Sequence, residues 1–233
     1  MTDPILSQAT EAFADGREVL DPFEVRVLAV LAEKEALTPD NYPLSLNALT
    51  NGCNQLSSRD PVMSLSDETV QDVLQRLIQK KLVSEVRQAG ARVAKYEQRM
   101  RMKWALEQDK LAALTILMLR GIQTAGEIRS RSGRLHDFAS VADVEQALQF
   151  LIDKFPPLVA RLARAPGTKE ARYAHLLSGE EVLERQETAA GFSSTVEVSR
   201  QDRVAQLEAE VAQLRTEVER LSAQFDEFRK QFE

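Results

Sequence analysis

The chain has 233 residues, 43% hydrophobic and 28% charged, with a net charge of −6 and one cysteine. That composition suits one or two folded domains rather than a disordered chain, and a lone Cys53 excludes any intrachain disulfide. The longest apolar run, Leu111–Leu119, is far too short to cross a bilayer, and the N-terminus lacks the basic and apolar segments of a signal peptide, so the expected setting is cytoplasmic, without a membrane.

Residues 1–20 read as an N-terminal extension. Asp21-Pro22 is an N-cap followed by a proline at the first helical position, and the helix runs to about Ala36 with Phe23, Val27, Val30 and Leu31 on one face. Two prolines and Asp-Asn make Thr38–Pro43 a turn, after which a second helix covers Ser45–Cys53. The stretch from Leu65 opens a third helix whose apolar positions are Val70, Val73, Leu74, Leu77 and Ile78. Two short β-branched runs follow, Leu82–Arg87 and Arg92–Glu97, around Ala89-Gly90-Ala91. A period of 3.6 passing into a hairpin is the second half of a winged-helix module, and residues 21–105 are expected to form one such domain.

The pattern then returns. Leu111–Arg120 is helical, and Leu111–Leu119 is apolar nearly all round, which predicts burial between the two modules or, as the alternative, at a subunit interface. Thr124–Glu127 and Ser140–Asp143 are capping boxes that open two more helices. The last carries Val144, Ala147, Leu148, Leu151 and Ile152, each 74 positions after its counterpart in the earlier helix. Leu158–Arg164 and Glu170–Leu176 make a second hairpin, whose Ala171-Arg172-Tyr173 matches Ala94-Lys95-Tyr96. Two independent matches predict a tandem repeat, with a second winged-helix domain over 106–180.

Residues 181–200 lose periodicity and read as a linker. From 201 to 233, Val204, Leu207, Val211, Leu214, Val218, Leu221, Phe225 and Phe228 alternate spacings of three and four. Valine at a and leucine at d, with Arg203 set to face Glu208 and Glu210 to face Arg215 of a second copy, predict a parallel coiled-coil homodimer. The alternative is an amphipathic helix folded back on the modules. The expected architecture is α+β, mostly α: two tandem winged-helix domains followed by a C-terminal coiled-coil helix.

Catalysis finds little support. His136 and His175 have no carboxylate or cysteine at ligand spacing and are expected at the surface or a strand edge, and no catalytic motif is present. Cys53 falls on a core position with nothing basic beside it in sequence, the pattern of a buried, inert thiol. Neither enzyme activity nor a metal or cofactor is expected.

Charge is uneven, since Glu181–Glu233 holds seven basic and twelve acidic residues. Between Arg87 and Lys103 lie Arg87, Arg92, Lys95, Arg99, Arg101 and Lys103 against the single acid Glu97, with Tyr96 interleaved. A wing so charged suits contact with a phosphate backbone. The preceding helix starts with Asp67, Glu68 and Asp72, which repel phosphate, and offers Gln75, Arg76 and Lys80 only later. In the second module the matching helix is acidic, and the cations are Arg129, Arg131 and Arg134 before it, with Arg161, Arg164, Lys169 and Arg172 on the wing. The candidate nucleic-acid contacts are therefore Gln75, Arg76, Lys80, Arg87, Arg92, Lys95, Arg99, Arg129, Arg131, Arg164 and Arg172.

The run LTPDNYPLSLNALTNGCNQLSSRDPVM (Leu37–Met63) resembles the YceH-like family of uncharacterised bacterial proteins, as do VAKYEQR (Val93–Arg99), LRGIQTAGEIRSRSGR (Leu119–Arg134) and LARAPGTKEARYAHLLSGE (Leu162–Glu180). The resemblance covers about Leu20 to Glu180 and implies two tandem winged-helix domains, with no established activity. It departs at Leu56, where that family usually carries a lysine after Asn-Gln. Two functions remain open: a DNA-binding, regulator-like protein that touches duplex phosphates through its first wing, or a protein–protein scaffold that uses the same surfaces without nucleic acid.

Overall fold

In a computed structural model of the chain, the described residues are 19–87, 93–162 and 170–179. They lie in one compact unit, the chain up to Gln186; a second unit, Glu187–Glu233, lies outside them. Outside them too are most of the N-terminal extension, Arg92 and the first hairpin turn, Arg164, the linker, and the whole heptad run from Val204 to Phe228.

Helix α1 (Pro22–Leu37) begins with a full capping box. The Asp21 carboxylate accepts from the N–H groups of Phe23 and Glu24, and Glu24 accepts from the N–H of Asp21 at 2.9 Å. A two-residue strand β1 (Leu44–Ser45) leads into α2 (Leu46–Cys53), capped by Ser45, and then α3 (Asp67–Gln79), capped by Ser66. Strands β2 (Val83–Val86) and β3 (Lys95–Gln98) form the hairpin, and a single helical turn, α4 (Met100–Lys103), closes the first repeat. The second repeat is α5 (Gln108–Arg120), β4 (Gln123–Thr124), α6 (Ala125–Ser132), α7 (Val141–Ile152), β5 (Val159–Leu162) and β6 (Arg172–His175). Both expected capping boxes, at Thr124 and Ser140, are formed.

The repeat holds down to strand register. Each sheet is antiparallel and three-stranded, in the orders β1-β3-β2 and β4-β6-β5. Leu44 pairs with Tyr96 and Gln123 with Tyr173, one residue before the N-caps Ser45 and Thr124. The apolar stripe of α3 (Val70, Val73, Leu74, Leu77) is buried, as is that of α7 (Val144, Ala147, Leu148, Leu151).

The two repeats share one core. Helix α5 packs on α1 as well as on α6 and α7 of its own repeat, which accounts for its apolar circumference: every side chain from Leu111 to Leu119 is buried. Burial of α1 likewise runs unbroken from Glu24 to Glu33, since α5 covers the face a lone module would leave to water. Phe23, expected on the buried face, precedes that stretch and is 41% exposed. Backbone bonds tie the repeats at two further points, Leu20 N–H to the Leu177 carbonyl and Asp60 N–H to the Leu119 carbonyl, both 2.8 Å.

Of the charged side chains inside this core, Glu33 and Arg59 form an ion pair, and Arg26 is held by backbone carbonyls. Arg59 donates to both oxygens of Glu33, Nη1 at 3.0 Å and Nη2 at 2.7 Å, and also to the Gly52 carbonyl and Gln55. Arg26 donates to the carbonyls of Cys53 and Pro61. Cys53 is buried as expected, and burial pushes its thiol up to about 12. Contrary to the sequence reading, Arg26 and Arg59 lie close enough to oppose that shift, but desolvation outweighs them. His175 also departs from expectation. It is buried, because β6 is the central strand of its sheet, and its Nδ1 has no partner among the described residues. Among the described residues no helix is long and apolar enough to cross a membrane, and no group of three or more His, Cys, Asp or Glu is placed to hold a metal.

Candidate nucleic-acid interface

The exposed face of α3 presents Asp67, Glu68 and Asp72 toward its N-terminus, then Gln75 and Arg76. Arg76 is not a free cation: its Nη1 lies 2.6 Å from Asp21 Oδ2, and its Nε 4.0 Å from Glu24. Lys80 Nζ reaches both oxygens of the buried Glu24, at 2.8 and 2.7 Å, and the Val19 carbonyl at 3.1 Å. These two cations tie the end of α3 to the capped start of α1. Any phosphate would compete with those carboxylates for them.

The hairpin is freer. Arg87, just beyond β2, is 80% exposed and, among the described residues, pairs with Glu85. Lys95 opens β3, opposite Val86 and Ser45. Arg99, just beyond β3, lies 3.7 Å from Glu97 and donates to the Met102 sulfur. Lys81 and Lys103 join it around an open groove of about 520 Å³ beside the hairpin base, floored by Ile78, Val83 and Met102. Lys103 also donates to the Lys80 carbonyl at 2.7 Å, where the negative end of α3 favours a cation. Lys81 enters the groove because its backbone has φ 57°, which turns the chain from α3 into β2. Its place was not read from the sequence; the Lys80-Lys81 doublet at a helix end was the available signal.

The second repeat is built differently. Arg129 donates to the carbonyls of Phe138 and Ala139, bracing the loop before α7. Arg131 pairs with Glu127 one turn back at 3.3 Å. Arg172 is half-buried on β6, with its Nε enclosed and unpartnered. The outer face of α7 shows Val141, Glu145 and Phe150, and Phe155 just beyond is 89% exposed. Lys110 and Lys154 sit over the Phe150 ring at 5.3 and 4.9 Å. Of the candidate contacts, the structure gathers Arg99 with Lys81 and Lys103 in one groove. Gln75 lies apart from it on the exposed face of α3, and Arg76, Lys80 and Arg129 are engaged in contacts within the fold.

A family model described as “Protein of unknown function, DUF480” matches residues 20–168, which take in both repeats as far as the second hairpin. A UPF0502 protein of Herminiimonas arsenicoxydans is 66% identical over 235 residues, covering 100% of this chain and 99% of the relative. Another, from Janthinobacterium sp. (strain Marseille), is 67% identical over 234 residues and covers both chains completely. A UPF0502 protein of Geobacter sulfurreducens is 47% identical over 217 residues, 92% of this chain and 99% of the relative.

Proposed function

The chain belongs to the DUF480 family, and we propose that it is a tandem winged-helix protein that binds duplex DNA as a regulator would, gripping phosphates through its first wing. The order helix, short strand, helix, helix, hairpin in each repeat supports the winged-helix reading, with β1 and β4 as the third strand of each wing sheet. One observation carries the contact assignment: Lys81, Arg99 and Lys103 converge on the open groove at the hairpin base, while the exposed start of α3 is acidic. Cations held at a wing neutralise backbone phosphate without reading bases, so binding is strongly salt-dependent and weakly sequence-selective. The heptad run of residues 201–233 supports a parallel dimer, which would present two such wings to one duplex.

A second reading has its own observation. The outer face of α7, with Val141, Phe150 and the neighbouring Phe155, is apolar and acidic, which suits a protein partner rather than DNA. In that reading the protein is a scaffold whose winged-helix surfaces dock a protein partner, without nucleic acid.

The test is fluorescence anisotropy of a mixed-sequence duplex against the full chain, titrated with salt. The expected result is binding at low salt that weakens with a log–log slope of about −0.9 per neutralised phosphate. No binding at low salt overturns the DNA reading and leaves the docking surface of α7 as the function to pursue.

A further inference from the structure

A second cavity, of about 320 Å³, opens between the two repeats and shares no residue with the groove at the hairpin. The first repeat contributes Glu33 and Ser58, and the second contributes Arg120 from the end of α5 with Arg131, Ser132 and Arg134 from the end of α6 and the turn after it. Its charges do not balance. Glu33 is neutralised by Arg59 at 2.7 Å and Lys34 at 3.1 Å. Arg131 is held by Glu127. Arg120 reaches the Ser58 hydroxyl at 2.6 Å, and among the described residues neither it nor Arg134 forms a salt bridge. Burial, followed by the charges of Arg131 and Arg59, holds the Arg120 guanidinium below its ordinary range, with the Glu33 charge opposing them.

Arginines at helix C-termini also complement the helix dipole, and that role accounts for Arg120 and Arg131. It does not account for Arg134, which follows the end of α6 and faces the same space. Planar guanidinium groups converging on one cavity are suited to a phosphoryl group, which they take with paired N–H donors. The Ser58 hydroxyl accepts from Arg120 and keeps its own hydrogen to donate. The volume is at the lower end for small-molecule sites, which suits a small ligand.

We propose that this cavity binds a small phosphorylated metabolite, its phosphoryl oxygens held by Arg120 and Arg134 with the Ser58 hydroxyl. Because Ser58 belongs to one repeat and both arginines to the other, the ligand clamps the two repeats together.

The test uses the full chain, with inorganic phosphate as the probe and sodium chloride at matched ionic strength as the control, read by thermal melting and calorimetric titration. Phosphate is expected to bind saturably and raise the melting temperature, with no such rise in chloride. Arg134→Gln removes an exposed side chain, so it should melt like the parent without phosphate and bind phosphate at least tenfold more weakly. Arg120→Gln should weaken phosphate binding by a similar factor and also melt somewhat lower, since its bond to Ser58 is lost, and Arg120→Lys should restore part of the binding. The proposal is overturned by a phosphate effect no greater than that of chloride, or by undiminished binding in Arg134→Gln and Arg120→Gln. Citrate binding as tightly as phosphate overturns the phosphoryl assignment.

Discussion

Replacing Arg59 by methionine strands the Glu33 carboxylate in the core. Arg59 has no exposed side-chain surface and gives Glu33 two hydrogen bonds, at 3.0 and 2.7 Å, while a further bond to the Gly52 carbonyl ties α2 to the same point. Removing one partner of such a pair costs about 3–5 kcal/mol where the remaining charge is left uncompensated, and Lys34, still 3.1 Å from Glu33, brings the expected cost to the lower end, about 3 kcal/mol. For a unit of this size that lowers the melting temperature by roughly 10 °C. Urea denaturation of the parent, Arg59→Met, and the double variant Glu33→Met/Arg59→Met measures it. The double variant should recover most of the loss, since no buried charge then remains. The pH dependence adds a second check. Burial alone would raise the Glu33 carboxyl, but the hydrogen bonds and charge of Arg59, aided by Lys34, outweigh it and hold the group below the usual carboxylate range. A depressed folded-state pKa contributes stability above the ordinary carboxylate pKa and loses it as pH falls through the folded value. The gap between parent and Arg59→Met should therefore narrow on acidification. A cost below about 1 kcal/mol, or a double variant no more stable than Arg59→Met, would refute this reasoning.

Other expectations follow from particular contacts. A Cβ on Gly52 would lie 2.6 Å from Val30 Cγ1 in the core, so Gly52→Ala should lower stability by about 1–3 kcal/mol in urea melts. Leu114 is fully buried on α5, and Leu114→Ala should cost about 2–5 kcal/mol while unfolding stays a single transition; two separated transitions would contradict a shared core. Thr124→Ala removes one half of a capping box and should cost about 1 kcal/mol. Burial pushes His175 down to about 4 from an ordinary 6.5, so the unfolded chain takes up a proton in that window that the folded chain refuses. Stability should fall by up to about 3 kcal/mol as pH drops across it, and His175→Gln should flatten that slope in pH-dependent urea midpoints.

The elements read directly from the sequence were those that local chemistry specifies. Periodic apolar residues placed α3 and α7, and side-chain oxygens three residues before an acid placed the starts of α6 and α7. The two-residue strands β1 and β4 left no such mark, since pairing with Tyr96 and Tyr173 some fifty residues on defines them. His175 was misplaced for the same reason: its position at a strand end was visible, but the central place of β6 in its sheet was not. The basic run after Arg87 was legible as charge. How it divides was not, because Arg76 and Lys80 turn inward to Asp21 and Glu24, more than fifty residues away, while Lys81 turns outward beside Arg99. Leu56, where the resemblance led to a lysine, is 84% exposed in the loop after α2 and adds no charge to either site.

The most direct measurement compares the salt dependence of duplex binding for the parent chain, a Lys81→Gln/Arg99→Gln/Lys103→Gln variant, and Gln75→Ala. If the groove beside the first hairpin grips phosphate, the triple variant binds more weakly and its log–log slope is shallower by about 0.9 for each phosphate no longer neutralised, while Gln75→Ala matches the parent. A parent that binds duplex with the same slope as the triple variant would contradict the account.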